Sequence, residues 1–165
     1  MKIVLIGFMG AGKTTVAKLL AEKLKLEYID MDTLIIKKSG KKSDKEIFES
    51  DGEKYFRELE IAVSMELCDK KNAIISTGGG IVMNKINMDY LEKNGIIIYL
   101  KNSFETSKMR IDKNSPPPLF QNENRAKKLF KLRQPLYTYY ANNVIETDKQ
   151  TAGEVVSRII KTIKK

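Results

Sequence analysis

The sequence predicts an α/β domain, a mainly parallel sheet held between two layers of helices as a three-layer sandwich. Three observations predict it. Short apolar runs alternate with stretches of helical periodicity along all 165 residues, the pattern of successive βαβ units. The opening run "KIVLIG" is continuously apolar after its lysine, as in a strand buried on both faces. Every unusual motif stands directly after a predicted strand, where ligands bind in such sheets.

The elements follow in order. After "KIVLIG", a helix from about Lys13 to Lys25 carries Val16, Leu19, Leu20 and Leu24 on one face. "LEYID" is a second strand, and a helix through "MDTLIIKKSG" stops at Gly40. The stretch 42–70 reads as two helices broken at Asp51-Gly52, the first opened by a capping box of Ser43 and Glu46. "AIIST" is a third strand and runs into "GGG". A helix through "NMDYLEKNG", a strand "IIIYL" and a helix through "SFETSKMRI" come next. A proline-rich loop, "DKNSPPPLFQNEN", precedes helices through "RAKKLFKLRQPLYTYYA", a short strand "VIET" and a closing helix. No repeat or linker divides the chain, so residues 1–165 are expected to form one domain.

Composition narrows the chemistry. The net charge of +9 attracts anions. Its lysines are scattered as on solvated helix faces and are not interleaved with aromatics, so nucleic-acid binding is not expected. No apolar run approaches the ~20 residues of a membrane span. The N-terminus lacks a convincing cleavage site and runs into a glycine motif, so it reads as a strand and the location as cytoplasmic. The single cysteine, Cys68, allows no internal disulfide and sits in an apolar helical pattern as packing. Histidine is absent, so proton transfer falls to Asp, Glu, Lys, Tyr or water.

"GFMGAGKT", residues 7 to 14, fits G-x-x-x-x-G-K-[ST] between a strand and a helix. Gly7, Gly10 and Gly12 let backbone N–H groups curl toward phosphate oxygens, and the helix N-terminus adds partial positive charge. Lys13 reaches the β- and γ-phosphates, and the Thr14 hydroxyl can ligate Mg²⁺. Asp30 and Asp32 stand one residue apart in "YIDMDT". In an extended segment both would share one face, near the top of the neighbouring strand, while Met31 turns inward. Two roles are expected: Asp30 holds Mg²⁺ through water, and Asp32 accepts the proton of an acceptor hydroxyl. An N-capping role would explain one of them. Arg57 and Glu60 lie three apart on one helical face, fit for clamping an anion. Gly78, Gly79 and Gly80 follow a buried strand and let a ligand approach closely.

The phosphate loop, "DMD", "FRELE", "GGG" and "RQPLY", in this order and spacing, resemble shikimate kinase over essentially the whole chain. The resemblance implies a five-stranded parallel sheet of the P-loop, nucleoside-monophosphate-kinase-like type. It implies Mg-ATP-dependent phosphorylation of the 3-hydroxyl of shikimate, a step toward chorismate and the aromatic amino acids, by a monomer. It further implies that Gly10, Ala11, Gly12, Lys13, Thr14, Thr15 and Arg110 bind the nucleotide, with the segment near "TDKQTAGE" as the adenine loop. Thr14 and Asp30 would attend Mg²⁺. Asp32, Arg57, Gly78, Gly79, Gly80 and Arg133 would bind shikimate. Lys13, Asp32, Arg57 and Arg133 would be the catalytic set, with Glu60 orienting Arg57 and with Phe48 and Phe56 beside the ring. A mobile lid would span about 112–124.

The lid departs from the family pattern. An arginine is usual in an "RPLL"-like stretch, and here "PPPLF" places Pro117 there. Three routes stay open: Lys113 or Arg125 supplies the charge, the enzyme turns over slowly on Lys13 and Mg²⁺, or the acceptor has changed. The intact acceptor motifs favour substitution. The competing readings are a gluconate-type or nucleotide kinase and a nucleotide-binding regulator without turnover.

Overall fold

A computed structural model describes residues 1–111 and 118–164. Lys113 and Pro117, with the start of the expected lid, lie outside the described residues. Five strands form one sheet: β1 (Lys2–Ile6), β2 (Glu27–Asp30), β3 (Ala73–Ser76), β4 (Gly95–Lys101) and β5 (Asn143–Glu146). All neighbouring strands run parallel, in the order β2-β3-β1-β4-β5. β1 therefore lies at the centre and is buried at every residue.

Alternation along β1 divides the core. Ile3 and Leu5 face one side, with Ile74, Ile98 and Leu100, under α1 (Lys13–Leu24) and α8 (Ala152–Ile163). Val4 and Ile6 face the other side, with Ile75, Ile97 and Tyr99. There α2 (Met31–Ser39), α4 (Gly52–Glu66), α5 (Lys85–Glu92) and α7 (Glu123–Tyr140) cover the sheet. The short α3 (Asp44–Ser50) packs on α4, and α6 (Phe104–Arg110) follows β4. Among the described residues no helix is long and apolar enough to cross a membrane. Cys68 is a buried free thiol.

Three local expectations are corrected. β3, not β2, adjoins β1, so Asp30 crowns the strand beyond the central one's neighbour and pairs in register with Ser76. The extended segment ends at Asp30 and the expected helix begins at Met31, so Asp32 sits in the first turn of α2 and does not share a strand face with Asp30; Met31 is nonetheless fully buried. The Ser43–Glu46 pair makes only half a capping box. The Ser43 hydroxyl accepts from the Glu46 N–H at 3.1 Å, but the Glu46 carboxylate turns to the Lys42 N–H at 2.8 Å. Both halves are present instead at Thr151 and Glu154, at the start of α8.

One buried charge serves the fold alone. Lys2 opens β1 and is 2% exposed, with its ammonium donating to the Leu67 and Cys68 carbonyls at 3.3 and 2.7 Å. Those carbonyls end α4, where a cation meets the negative end of the helix.

Candidate active site

The loop between β1 and α1 is shaped by what stands beside it. Gly10 holds φ of 78°, and a Cβ there would lie 2.7 Å from the Ser107 carbonyl oxygen of α6. A Cβ on Gly7 would meet the Leu100 carbonyl oxygen of β4, also at 2.7 Å. Only glycine fits against those two walls. Lys13 bends back over the loop and donates to the Gly7 and Phe8 carbonyls at 2.8 and 2.9 Å. Burial pushes its ammonium down to about 8, against the pull of Asp32 and Asp30 and helped by the nearby charge of Arg133.

Beside the loop lies a cavity of about 340 Å³ lined by Gly10, Gly12, Thr15, Arg110, Thr147 and Gln150, among others. Arg110 spans it. Nη1 donates to the Gly10 and Ala11 carbonyls at 3.4 Å each, and Nη2 to the Thr147 carbonyl at 3.0 Å. The Gln150 Oε1 is buried there without a hydrogen-bond donor among the described residues. A wider groove of about 680 Å³ runs along α8 past Lys23, Arg158 and Lys161, and no residue of the phosphate loop lines it.

The two aspartates, one residue apart, have different surroundings. Asp30 caps α2: one carboxylate oxygen accepts from the Thr33 N–H at 3.1 Å, the other from the Tyr28 hydroxyl at 2.8 Å. The Tyr28 hydroxyl also neighbours Thr14, so the phenol joins the two residues expected to attend the metal. Sequence reading gave Tyr28 no part in the site. Asp32 accepts no hydrogen bond among the described residues. Burial first, then the charge of Asp30, push its carboxyl up to about 6, against the pull of Lys13.

The remaining residues close the site from the far side. Arg57 donates to Glu60 at 2.6 Å and to Glu53 at 3.2 Å, and its guanidinium lies 5.4 Å from the centre of the Phe56 ring. The Glu60 side chain is only 2% exposed, so its charge depends on this arginine. Phe48 stacks on Phe56 with centroids 4.6 Å apart. Arg133 projects from α7 near Lys13, Glu60 and Tyr137, and its buried Nε has no acceptor among the described residues. Arg125, the other lid candidate, is exposed in the first turn of α7.

The three glycines after β3 face three different parts of the site. A Cβ on Gly78 would stand 2.9 Å from the Asp32 Oδ1. One on Gly79 would stand 3.4 Å from the Met9 nitrogen, in the phosphate loop. One on Gly80 would stand 2.8 Å from the Arg57 Nη1. Contacts and close approaches thus link Lys13, Asp30, Asp32, Arg57, Gly78, Gly79, Gly80, Arg110 and Arg133 among the described residues. Among the described residues, no three His, Cys, Asp or Glu side chains converge on a metal-sized centre. A divalent cation here would draw most of its ligands from phosphate and water, as Mg²⁺ commonly does.

A family model described as shikimate kinase matches residues 9–164. The shikimate kinase of Sulfurihydrogenibium sp. is 41% identical over 164 residues, covering 99% of this chain and 98% of the relative. That of Caldanaerobacter subterraneus is 43% identical over 162 residues, covering 96% and 94%. The structure of shikimate kinase from Acinetobacter baumannii in complex with shikimate superposes with a TM-score of 0.93 at 37% identity, over 99% of this chain and 92% of that one.

Proposed function

The chain belongs to the shikimate kinase family, and from that premise we propose how its residues divide the transfer of the γ-phosphoryl group of ATP to the 3-hydroxyl of shikimate. The observation that carries the division is Asp32. It is a carboxylate that accepts no hydrogen bond among the described residues, set near the phosphate-loop lysine, with its proton affinity raised into the range of a working base. Asp32 accepts the proton of the attacking hydroxyl. Arg57 and Arg133 hold the shikimate carboxylate. Arg57 has its orientation fixed by Glu60, and the buried Arg133 Nε has no acceptor among the described residues. Gly78, Gly79 and Gly80 line the acceptor pocket.

On the donor side Gly10, Ala11, Gly12, Thr14 and Thr15 cradle the phosphates, and Arg110 and the adenine loop enclose the base. Lys13 already donates to neutral carbonyl oxygens, and phosphate oxygens are stronger acceptors within reach of the same side chain. Their charge restores the protonation that burial weakens. Thr14 and Asp30 fit Mg²⁺, Asp30 through water because both its oxygens are engaged. Bound there, Mg²⁺ supplies neutralisation of the phosphate charge. Poor nucleophilicity of an alcohol is overcome chiefly by positioning. Lys113 is proposed to stand in for the lid arginine; Lys113→Ala should lower kcat far more than Lys41→Ala, and equal small effects would reject this. The chain is read as a cytoplasmic monomer.

The test is ADP release from Mg-ATP in a coupled assay with shikimate, gluconate, AMP or no acceptor. Turnover that requires shikimate supports the reading. ATP binding without shikimate-dependent turnover would overturn it and turn attention to Pro117.

A further inference from the structure

We propose that Tyr137 is a positioning residue that sets the register between the donor and acceptor halves of the site, by fixing the middle glycine of Gly78–Gly80. The inference rests on the assignment of Arg57, Arg133 and Asp32 to the acceptor pocket. Tyr137 is fully buried on α7, and its hydroxyl donates a short hydrogen bond to the Gly79 carbonyl. Its ring lies against Tyr99 of β4, with centroids 5.0 Å apart, so the phenol is held at its base by the sheet and at its tip by the loop.

Gly79 is the point where such a hold has most effect. A Cβ at Gly78 would face Asp32, one at Gly79 the phosphate loop and one at Gly80 Arg57, so the turn runs close past all three. A peptide unit is planar and trans, so fixing the Gly79 carbonyl also fixes the Gly80 N–H on the opposite side. One bond therefore orients the segment that separates the base, the phosphate loop and the carboxylate grip. Tyr137 also stands one helical turn after Arg133, on the same face of α7, so the anchored turn is the turn that carries the second arginine. The phenol is a dependable donor. Burial raises its proton affinity well above the ordinary tyrosine value, so it stays protonated across the enzyme's working range.

Removing only the hydroxyl tests this. Tyr137→Phe keeps the ring on Tyr99 and leaves the Gly79 carbonyl without its donor. We expect KM for shikimate to rise about 5- to 20-fold and kcat to fall by a similar factor, because misplacing a reacting partner by a fraction of an ångström is costly. KM for ATP should stay within about twofold, since the phosphate loop is shaped by Leu100 and Ser107 rather than by Tyr137. Calorimetric titration of shikimate onto the variant reads the same weakening without turnover, and a melting curve shows that the fold persists. Unchanged shikimate affinity and kcat, or equal losses for both substrates, would overturn the proposal. Arg57→Ala and Arg133→Ala serve as the reference. If they raise KM for shikimate while Tyr137→Phe does not, the positioning role alone is wrong. If they leave it unmoved too, the acceptor-site assignment fails and the role of Tyr137 with it.

Discussion

The donor and acceptor halves of the site are built on opposite principles. In the donor half the cations rest on neutral oxygens: Lys13 on the Gly7 and Phe8 carbonyls, Arg110 on those of Gly10, Ala11 and Thr147. Each can exchange a carbonyl for a phosphate or stack on a base without leaving an acid exposed. In the acceptor half formal charges meet. Arg57 is locked to Glu60 and Glu53, and among the described residues Asp32 has no donor and the buried Arg133 Nε has no acceptor. On the proposed assignment a nucleotide would replace contacts that already exist, whereas shikimate would complete contacts absent among the described residues. The second kind of site is the more selective, because a ligand lacking one group leaves a buried charge unmatched.

The largest test of this contrast is Asp32→Asn. Loss of the base should lower kcat about 10²–10⁴-fold while ATP still binds. The same change should stabilise the free protein at neutral pH. The folded carboxyl, at about 6, holds its proton more tightly than the ordinary value of 3.8, so its charged form disfavours folding above pH 6, and that penalty disappears as pH falls through 6 toward 3.8. Asn removes it, partly offset because Lys13 loses an attractive neighbour. A gain of about 1 kcal/mol would raise Tm by about 2–4 °C. A fall in Tm would mean that Asp32 is a structural ion-pair partner.

Next in size, Arg57→Ala and Arg133→Ala should each raise KM for shikimate about 10- to 100-fold, with KM for ATP little changed. They separate in stability. Arg57→Ala removes the direct partner of the buried Glu60 and should cost about 3 kcal/mol in chemical denaturation, whereas Arg133→Ala leaves the Arg57–Glu60 pair in place and should cost less. Asp30→Asn belongs to the donor half and should raise the Mg²⁺ concentration for half-maximal rate about tenfold, leaving kcat at saturating Mg²⁺ nearly intact. Identical defects in Asp30→Asn and Asp32→Asn would erase the distinction between the halves. The smallest effect is in pH. kcat/KM should fall on the acid side with a midpoint near 6 as Asp32 gains its proton, and Asp32→Glu should move that midpoint.

The two halves also differed in how far the sequence revealed them. The donor loop is contiguous, its glycines and lysine are spaced by local geometry, and residues 7–14 could be read directly. The acceptor pocket draws on α2, α4, the glycine turn and α7, and only the ordered set of motifs joined them. The helix through "MDTLIIKKSG" was legible and begins at Met31, where the Asp30 side chain caps it; what failed was the argument that Asp30 and Asp32 share one face as in an extended segment. Ser43 and Glu46 had capping-box spacing, but the Lys42 N–H took the carboxylate. Tyr28 and Tyr137 were missed for a different reason. A tyrosine in an apolar pattern reads as core, which both partly are, and the hydroxyl partners at Asp30 and Gly79 exist only in the folded chain. Lys2 likewise looked like the edge of a strand until α4 ended against it.

The walls of the phosphate loop carry a consequence for how the protein is made. Gly7 is confined by Leu100 and Gly10 by Ser107, so the complete motif at residues 7–14 leaves the ribosome long before the surfaces that shape it. A nascent chain of the first seventy residues has the signature of a nucleotide site and neither of its walls. A chain that stops before β4 and α6 therefore carries the motif without the backbone that packs against Gly7 and Gly10.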